Sequence, residues 1–126
     1  MPLYLIHAAL MGGALVLLAA GVSIVMLLRK KRWWFKAHRM LGVLGAVSMI
    51  LGWIAAGVML AGGGTSTHAS VGLTAILLAV VTAVLGLLQF QTKKKPIRII
   101  HHWTGRATVL LQALNIALGL RLVGIL

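Results

Sequence analysis

Four long apolar runs, separated by short polar connections, constrain the fold of this chain more than any other feature. The runs cover about residues 3–28, 37–61, 68–90 and 99–126. Each is as long as the roughly 20 residues that a helix needs to cross the ~30 Å hydrocarbon core of a bilayer. Connections this short make consecutive helices antiparallel. The sequence therefore predicts an all-α integral membrane protein, with one domain folded as an up-down four-helix transmembrane bundle.

The distribution of charge excludes several classes of function and predicts an orientation. The chain has no Asp, Glu or Cys, which excludes carboxylate acid-base catalysis, carboxylate proton relays, thiolate metal sites and covalent haem attachment. Its cations cluster in the connections at 29–36 and 91–98, whereas the connection GGGTST (62–67) is neutral. Beside apolar runs such clusters indicate a membrane face, and we expect no nucleic-acid partner. The positive-inside rule predicts cytoplasmic basic connections and both termini outside. We expect the membrane to be a prokaryotic inner or plasma membrane.

The start of the chain favours retention of the first run as a membrane span. The segment MPLYLIHAAL lacks the basic region that precedes the apolar part of a signal peptide. We therefore expect the first run to remain in the protein.

Each apolar run has a histidine close to its start: His7, His38, His68 and His101. In an up-down bundle the first and third helices start on one side and the second and fourth on the other. His7 and His68 are then expected at an outer level, and His38 and His101 at an inner level. Parallel helices of such a bundle lie diagonally, so each pair faces across the core. This arrangement predicts ligands for two non-covalent b haems, with irons roughly 20 Å apart.

Glycines recur at two fixed distances from these histidines. Those that follow a histidine by four residues are Gly42, Gly72 and Gly105. Residues four apart share a helix face, so these glycines predict space for a flat ligand beside the imidazole, with close helix packing as the alternative. Gly86 and Gly119 follow His68 and His101 by eighteen residues, which is five helical turns. We expect them on the same face, at the level of the other haem, where they make room for it.

The cations near the histidines are expected to hold haem propionates, which need charged partners. Arg39 and Arg106 are predicted at the inner haem and Arg121 at the outer one, the alternative for Arg121 being an arginine that snorkels to the interface. His102 is the alternative to His101 as ligand, but His101 keeps the histidine-to-glycine spacing. For any single histidine, a hydrogen bond to a neighbouring helix is the alternative interpretation. One zinc or copper ion held by all four is disfavoured by the distance between the pairs.

The order of these residues resembles the cytochrome b561 family. The likeness lies in His7, His38, His68-Ala-Ser-Val-Gly72 and His101-His102-Trp-Thr-Gly105. The His-His pair, its glycine and the end Asn115-Ile-Ala-Leu-Gly119 are similar to the membrane half of DOMON-linked members. The segment LLQFQ (87–91) looks like the third core helix of the family. The resemblance implies two b haems, ligated by the first with the third and the second with the fourth helix. Family members transfer electrons across membranes from ascorbate or a similar reductant to an acceptor such as ferric iron, and the identity of the donor is not carried over to this chain.

The predicted function is transmembrane electron transfer through two bis-histidine haems, and whether the protein is itself an oxidoreductase is left open. Typical family members have six helices, so we expect membrane lipid and a homodimer or a redox complex around this four-helix chain. The basic inner face favours a small anionic or protein electron donor or acceptor. The alternative is a structural or anchoring subunit of a larger redox complex, including a quinol-oxidising cytochrome b. Those cytochromes commonly carry two ligands on one helix, and no helix here has a histidine at both ends.

Overall fold

The computed structural model describes residues 2–59 and 66–126. Within these residues the chain forms four α-helices: α1 (Leu3–Leu27), α2 (Trp34–Met59), α3 (Thr67–Thr92) and α4 (Lys95–Leu122). They confirm the predicted all-α membrane bundle. Of the predicted turn at 62–67, residues 62–65 lie outside the described part of the chain.

Three helices are long and apolar enough to cross a membrane, namely α1, most of α2 and α3. Helix α4 has 28 residues and a length of about 42 Å, but it is less apolar than the others. Its uncharged polar side chains Thr108, Gln112 and Asn115 are buried in the bundle interior, whereas Leu110 and Leu114 are exposed. In this part of α4 the polar face is buried and the apolar face is exposed, which is the opposite of a helix on the surface of a water-soluble protein.

The helix starts follow from local chemistry. The Ser66 hydroxyl accepts a hydrogen bond from the backbone N–H of Ala69 at 3.1 Å and caps α3. Pro96 lies in the first turn of α4. Backbone N–H groups in the first turn have no intrahelical acceptor, so a proline, which lacks this N–H, loses no hydrogen bond there. Only residues 93–94 separate α3 from α4, and Lys93 adopts a left-handed φ of 55° at this sharp reversal.

The helices pack as two hairpins. Helix α1 packs along α2 and α3 along α4, while the hairpins meet more sparsely through α1 with α4 and α2 with α3. The diagonal pairs, α1 with α3 and α2 with α4, do not pack against each other within the described residues. Small and flexible side chains close the middle of the bundle: Ala14, Met49, Ala75, Ile76 and Ala79. We call these five residues the waist, and it separates the two ends of the bundle.

The outer surface of the bundle is apolar and suits contact with lipid. Large exposed side chains lie on every helix, among them Val16, Leu51, Leu77 and Leu110. At the end that carries the basic connections, Phe35 stacks on Phe90 with ring centroids 5.7 Å apart. The ring of Trp34 contacts Phe35 with centroids 5.5 Å apart, and tryptophan is enriched at the membrane–water interface. These features are those of an integral membrane protein.

Candidate functional site: two histidine pairs

The structure brings the four histidines near the helix starts together as two facing pairs. The ring centroids of His7 and His68 are 6.1 Å apart, and those of His38 and His101 are 6.0 Å apart. In both pairs the ring planes are inclined at 84°. Each pair joins two diagonal helices that do not otherwise pack together in the described part of the chain. The rings therefore face each other across the space between the hairpins.

Every one of these rings is oriented by a hydrogen bond to the backbone. The four Nδ1 atoms lie 2.8 to 2.9 Å from carbonyl oxygens: His7 with Gly52, His38 with Gly21, His68 with Asn115 and His101 with Thr82. A carbonyl can only accept, so Nδ1 carries the proton and donates it. In the neutral imidazole the lone pair is then on Nε2. Metal-binding histidines are commonly held by this type of bond, which orients the ring and raises the basicity of the ligand nitrogen.

The accepting carbonyls follow one rule of spacing. In each helix the carbonyl lies fourteen residues after that helix's own histidine: Gly21 after His7, Gly52 after His38, Thr82 after His68 and Asn115 after His101. Fourteen residues span about 21 Å of helix. Each helix thus supplies a histidine to one level and a carbonyl to the other, and the two helices of a hairpin exchange these bonds reciprocally.

Each histidine pair suits a cofactor that supplies most of the ligand atoms of its own metal ion. Two imidazoles that bind one metal ion from opposite sides have centroids roughly 6 Å apart, because each metal–nitrogen bond is about 2 Å long. Across residues 2–59 and 66–126, no three histidine, cysteine or acidic side chains converge as a metal site. A pair therefore supplies two axial nitrogens and leaves the remaining coordination positions to the ligand. The porphyrin ring of haem supplies four such donors in its plane.

Gly86 and Gly119 lie directly against histidine rings. A Cβ atom built on Gly86 would be 3.0 Å from Cε1 of His101, and one on Gly119 would be 3.0 Å from Cε1 of His68. Both glycines are at the level of the other pair, as the eighteen-residue spacing predicts. The imidazole lies in the room that each glycine leaves. Each glycine also follows an accepting residue by one turn, so the carbonyl and the glycine share the face that the ring contacts.

The glycines four residues after a histidine differ from one another. Gly42 has no neighbouring atom within 4 Å of a built Cβ and borders open space. A Cβ on Gly105 would meet the Thr82 methyl at 3.5 Å, and one on Gly72 would meet the Asn115 amide nitrogen at 2.9 Å. Because α3 and α4 pack closely, a side chain of the facing helix occupies the space beside these two glycines. For Gly72 and Gly105 the structure thus shows the alternative, close helix packing, and corrects the expectation of open space.

The three arginines predicted near the haems lie in different surroundings. Arg121 lines a cavity of about 780 Å³ together with His68, Leu118 and Leu122. Like Arg121, both Arg39 and Arg106 are exposed. Arg39 lines a surface groove on α2, and the guanidinium of Arg106 lies 5.2 Å from the ring centroid of Trp103. Arg121 therefore shares a cavity with one paired histidine, His68, and neither Arg39 nor Arg106 lines that cavity.

His102 lies beside His101 rather than opposite His38. The ring centroids of His101 and His102 are 6.0 Å apart with the planes at 56°, and His101 is the ring that faces His38. Residues 101 and 102 are separated by about 100° around a helix, so only one of the two can point across the core. The geometry therefore pairs His101, not His102, with the histidine of α2.

A polar layer lies between the two histidine levels. Gln112 donates from Nε2 to the carbonyl of Met11 at 3.1 Å and connects α4 to α1. Thr82 and Thr108 hydroxyls are 3.5 Å apart, toward the inner pair. Gln112 Oε1 and Asn115 Oδ1 are buried and have no hydrogen-bond partner among the described residues. The fold orients both side chains toward the bundle axis, where they are almost completely buried.

Comparison of the chain with protein-family models, with curated proteins and with solved structures finds no match. The interpretation of the histidine pairs therefore depends on their own geometry and hydrogen bonds. The resemblance to the cytochrome b561 family depends on the spacing of the sequence motifs.

Proposed function

We propose that this protein is a membrane cytochrome b that holds two non-covalent haems and carries electrons from a reductant on one side of the membrane to an acceptor on the other. One observation carries the proposal: all four Nδ1 atoms donate to backbone carbonyls while the rings face each other in two pairs. A histidine that only satisfies a neighbouring helix would explain one such bond. It would not explain two facing pairs with the same separation and the same inclination. When bound between such histidines, a haem iron takes up and releases one electron.

The residues that would bind the two haems lie at two levels of the bundle. His7 and His68 would hold the outer haem, and His38 and His101 the inner one. The hydrogen bonds from Nδ1 orient the rings and keep Nε2 unprotonated, which a metal ligand requires. The spacing of about 21 Å between levels is the length of fourteen helical residues. The five waist residues are buried, so the waist would exclude bulk water from this path.

Space and charge at each level support the assignment. The cavity beside His68, about 780 Å³, is within the roughly 300–1,000 Å³ range of ligand pockets. Arg121 on its wall suits a haem propionate, because carboxylates form strong hydrogen bonds with guanidinium groups. At the inner level, Gly42 borders open space. We propose Arg39 and Arg106 as partners of the inner haem's propionates. To reach the propionates, both side chains would have to turn from their exposed positions toward the histidine pair.

The proposed orientation places the basic connections in the cytoplasm and both termini outside, in a prokaryotic plasma membrane. The basic face would attract a small anionic or acidic protein electron donor or acceptor. We further propose that a second copy of the chain or a redox-complex partner, together with lipid, covers the exposed apolar flanks.

A reduced-minus-oxidised absorbance spectrum of the purified full chain, with extracted haem quantified per chain, tests the proposal. We expect two b haems per chain. His7→Ala and His38→Ala should each remove one haem, from different levels, and His102→Ala is the matched control that should retain both. A single haem in the unaltered protein would contradict the two-level arrangement. A colourless protein, even with haem supplied during expression, would favour a structural membrane subunit.

A further inference from the structure

A groove on the exposed face of α2 is separate from both histidine pairs. It has a volume of about 470 Å³ and is lined by Lys36, Arg39, Met40, Val43 and Leu44. These residues recur at the three- and four-residue spacing of one helix face. Neither His38 nor Gly42 lines the groove, so it faces away from the space between the hairpins.

The two cations of the groove have no side-chain carboxylate partner anywhere in the protein. The chain has twelve Lys and Arg residues and no Asp or Glu. Lys36 and Arg39 are both exposed and lie three residues apart in the first turns of α2. The anion that balances these two charges must therefore come from outside the chain.

Below the cations the groove is apolar along the helix. Met40, Val43 and Leu44 are 55%, 52% and 48% exposed, respectively. From Lys36 to Leu44 the groove follows about 12 Å of helix into the apolar span. The exposed rings of Trp33 and Phe35 at its charged end are typical of the headgroup layer. A ligand that fits the whole groove has an anionic group at the membrane surface and a hydrocarbon chain beneath it.

We propose that this groove is a binding site for one anionic glycerophospholipid. Its phosphate would lie between Lys36 and Arg39, and one acyl chain would lie along Met40, Val43 and Leu44. Basic pockets at membrane helices recognise anionic headgroups in this way. Free phosphate would use the two cations alone and leave the apolar wall without a role. An acidic protein would bind at the surface without reaching below the headgroups.

Lipid retention by the full chain tests this site. The protein is reconstituted in vesicles of equal amounts of phosphatidylglycerol and phosphatidylcholine, extracted in mild detergent, and its bound lipids are counted by native mass spectrometry. We expect selective retention of one phosphatidylglycerol. Lys36→Gln with Arg39→Gln should weaken retention by about fivefold for each cation removed. Val43→Trp fills the groove, leaves both cations in place and should also abolish retention.

The matched control is Lys94→Gln with Lys95→Gln, which removes the same charge at the same end of the bundle but outside the groove. This variant should retain the lipid. An equal loss in both double variants would show diffuse attraction to a charged surface and would overturn the proposal. Retention in Val43→Trp, or complete displacement of the lipid by inorganic phosphate, would show a simple anion site instead.

Haem content separates this inference from the proposed function. Val43→Trp should leave the absorbance spectrum and the haem per chain unchanged, because Val43 lines the groove and has no role at either histidine pair. Loss of haem in Arg39→Gln would assign Arg39 to a propionate and overturn its role in the groove. The lipid site does not depend on haem, so a colourless protein would leave the lipid measurement interpretable.

Discussion

Gly86 and Gly119 bring a histidine ring against a helix backbone, and their substitution tests the site at the scale of single residues. In Gly119→Ala the new Cβ would lie 3.0 Å from Cε1 of His68, so the ring must move by a few tenths of an ångström. We expect a loss of about tenfold in haem affinity at the outer level, which is typical when the support of a metal ligand is disturbed. Gly86→Ala should have the same effect at the inner level, through His101. Haem titration followed by absorbance measures both variants.

Gly13→Ala is the control for these substitutions. Gly13 is exposed in the middle of α1, and a Cβ built there has no neighbouring atom within 4 Å. The variant should match the unaltered chain in its content of the proposed haems. Loss of haem in Gly13→Ala comparable with that in Gly119→Ala would show a general effect of glycine replacement and not a contact with the ring.

At the scale of the element, the start of α3 supports the outer pair through the Ser66 cap, two residues before His68. Ser66→Ala removes the acceptor of the Ala69 N–H and should lower the free energy of unfolding by about 1 kcal/mol. Thermal unfolding in detergent, followed by circular dichroism, measures this change.

Ser70→Ala is the matched control for the cap, since Ser70 is exposed within the same helix and is not a capping residue. It should change the free energy of unfolding by no more than about 0.5 kcal/mol. Equal destabilisation by the two serine variants would contradict a capping role for Ser66.

Helix α4 shows why hydropathy alone identifies three of the helices more clearly than the fourth. Its polar residues, such as Gln112 and Asn115, lie toward the bundle axis and are almost completely buried. A hydropathy average counts them as if they faced lipid, although only the exposed side of a membrane helix has to be apolar. The membrane character of α4 is therefore evident only when its buried and exposed faces are distinguished.

For the whole molecule, the waist is the part of the core that joins the two hairpins between the histidine levels. Met49 is fully buried there. Met49→Ala should lower the free energy of unfolding by about 2 kcal/mol or more. The shorter side chain leaves a cavity, and the packing contacts that hold the membrane helices together there are lost. Because the waist lies between the levels, both haems should become easier to lose. Thermal unfolding and haem release, measured on the same preparation, check these two effects.

Met26→Ala is the control for the waist, because Met26 is 60% exposed on the outside of the bundle. Its free energy of unfolding should stay within about 0.5 kcal/mol of the unaltered chain. If loss of haem in Met49→Ala were confined to one level, the waist would not be the shared support of both sites.

The sequence by itself determined the number of helices, their antiparallel order and the levels of His7, His38, His68 and His101. These properties depend on apolar length, on short connections and on helical rise, which are all local to the chain. The positions of Gly86 and Gly119 at the opposite level followed from the same periodicity.

Only the tertiary structure decided which groups hold the histidine rings and which spaces stay open. The Nδ1–H groups donate to backbone carbonyls, namely those of Gly21, Gly52, Thr82 and Asn115. Because every residue has a backbone carbonyl, the residue type does not indicate which carbonyl will accept the bond. The spaces beside Gly72 and Gly105 are filled because α3 and α4 pack closely, whereas Gly42 borders open space. The directions of Arg39, Arg106 and Arg121 likewise depend on rotation around the helix and on neighbouring helices. Contacts between distant segments settle these features, and spacing along one helix does not encode them.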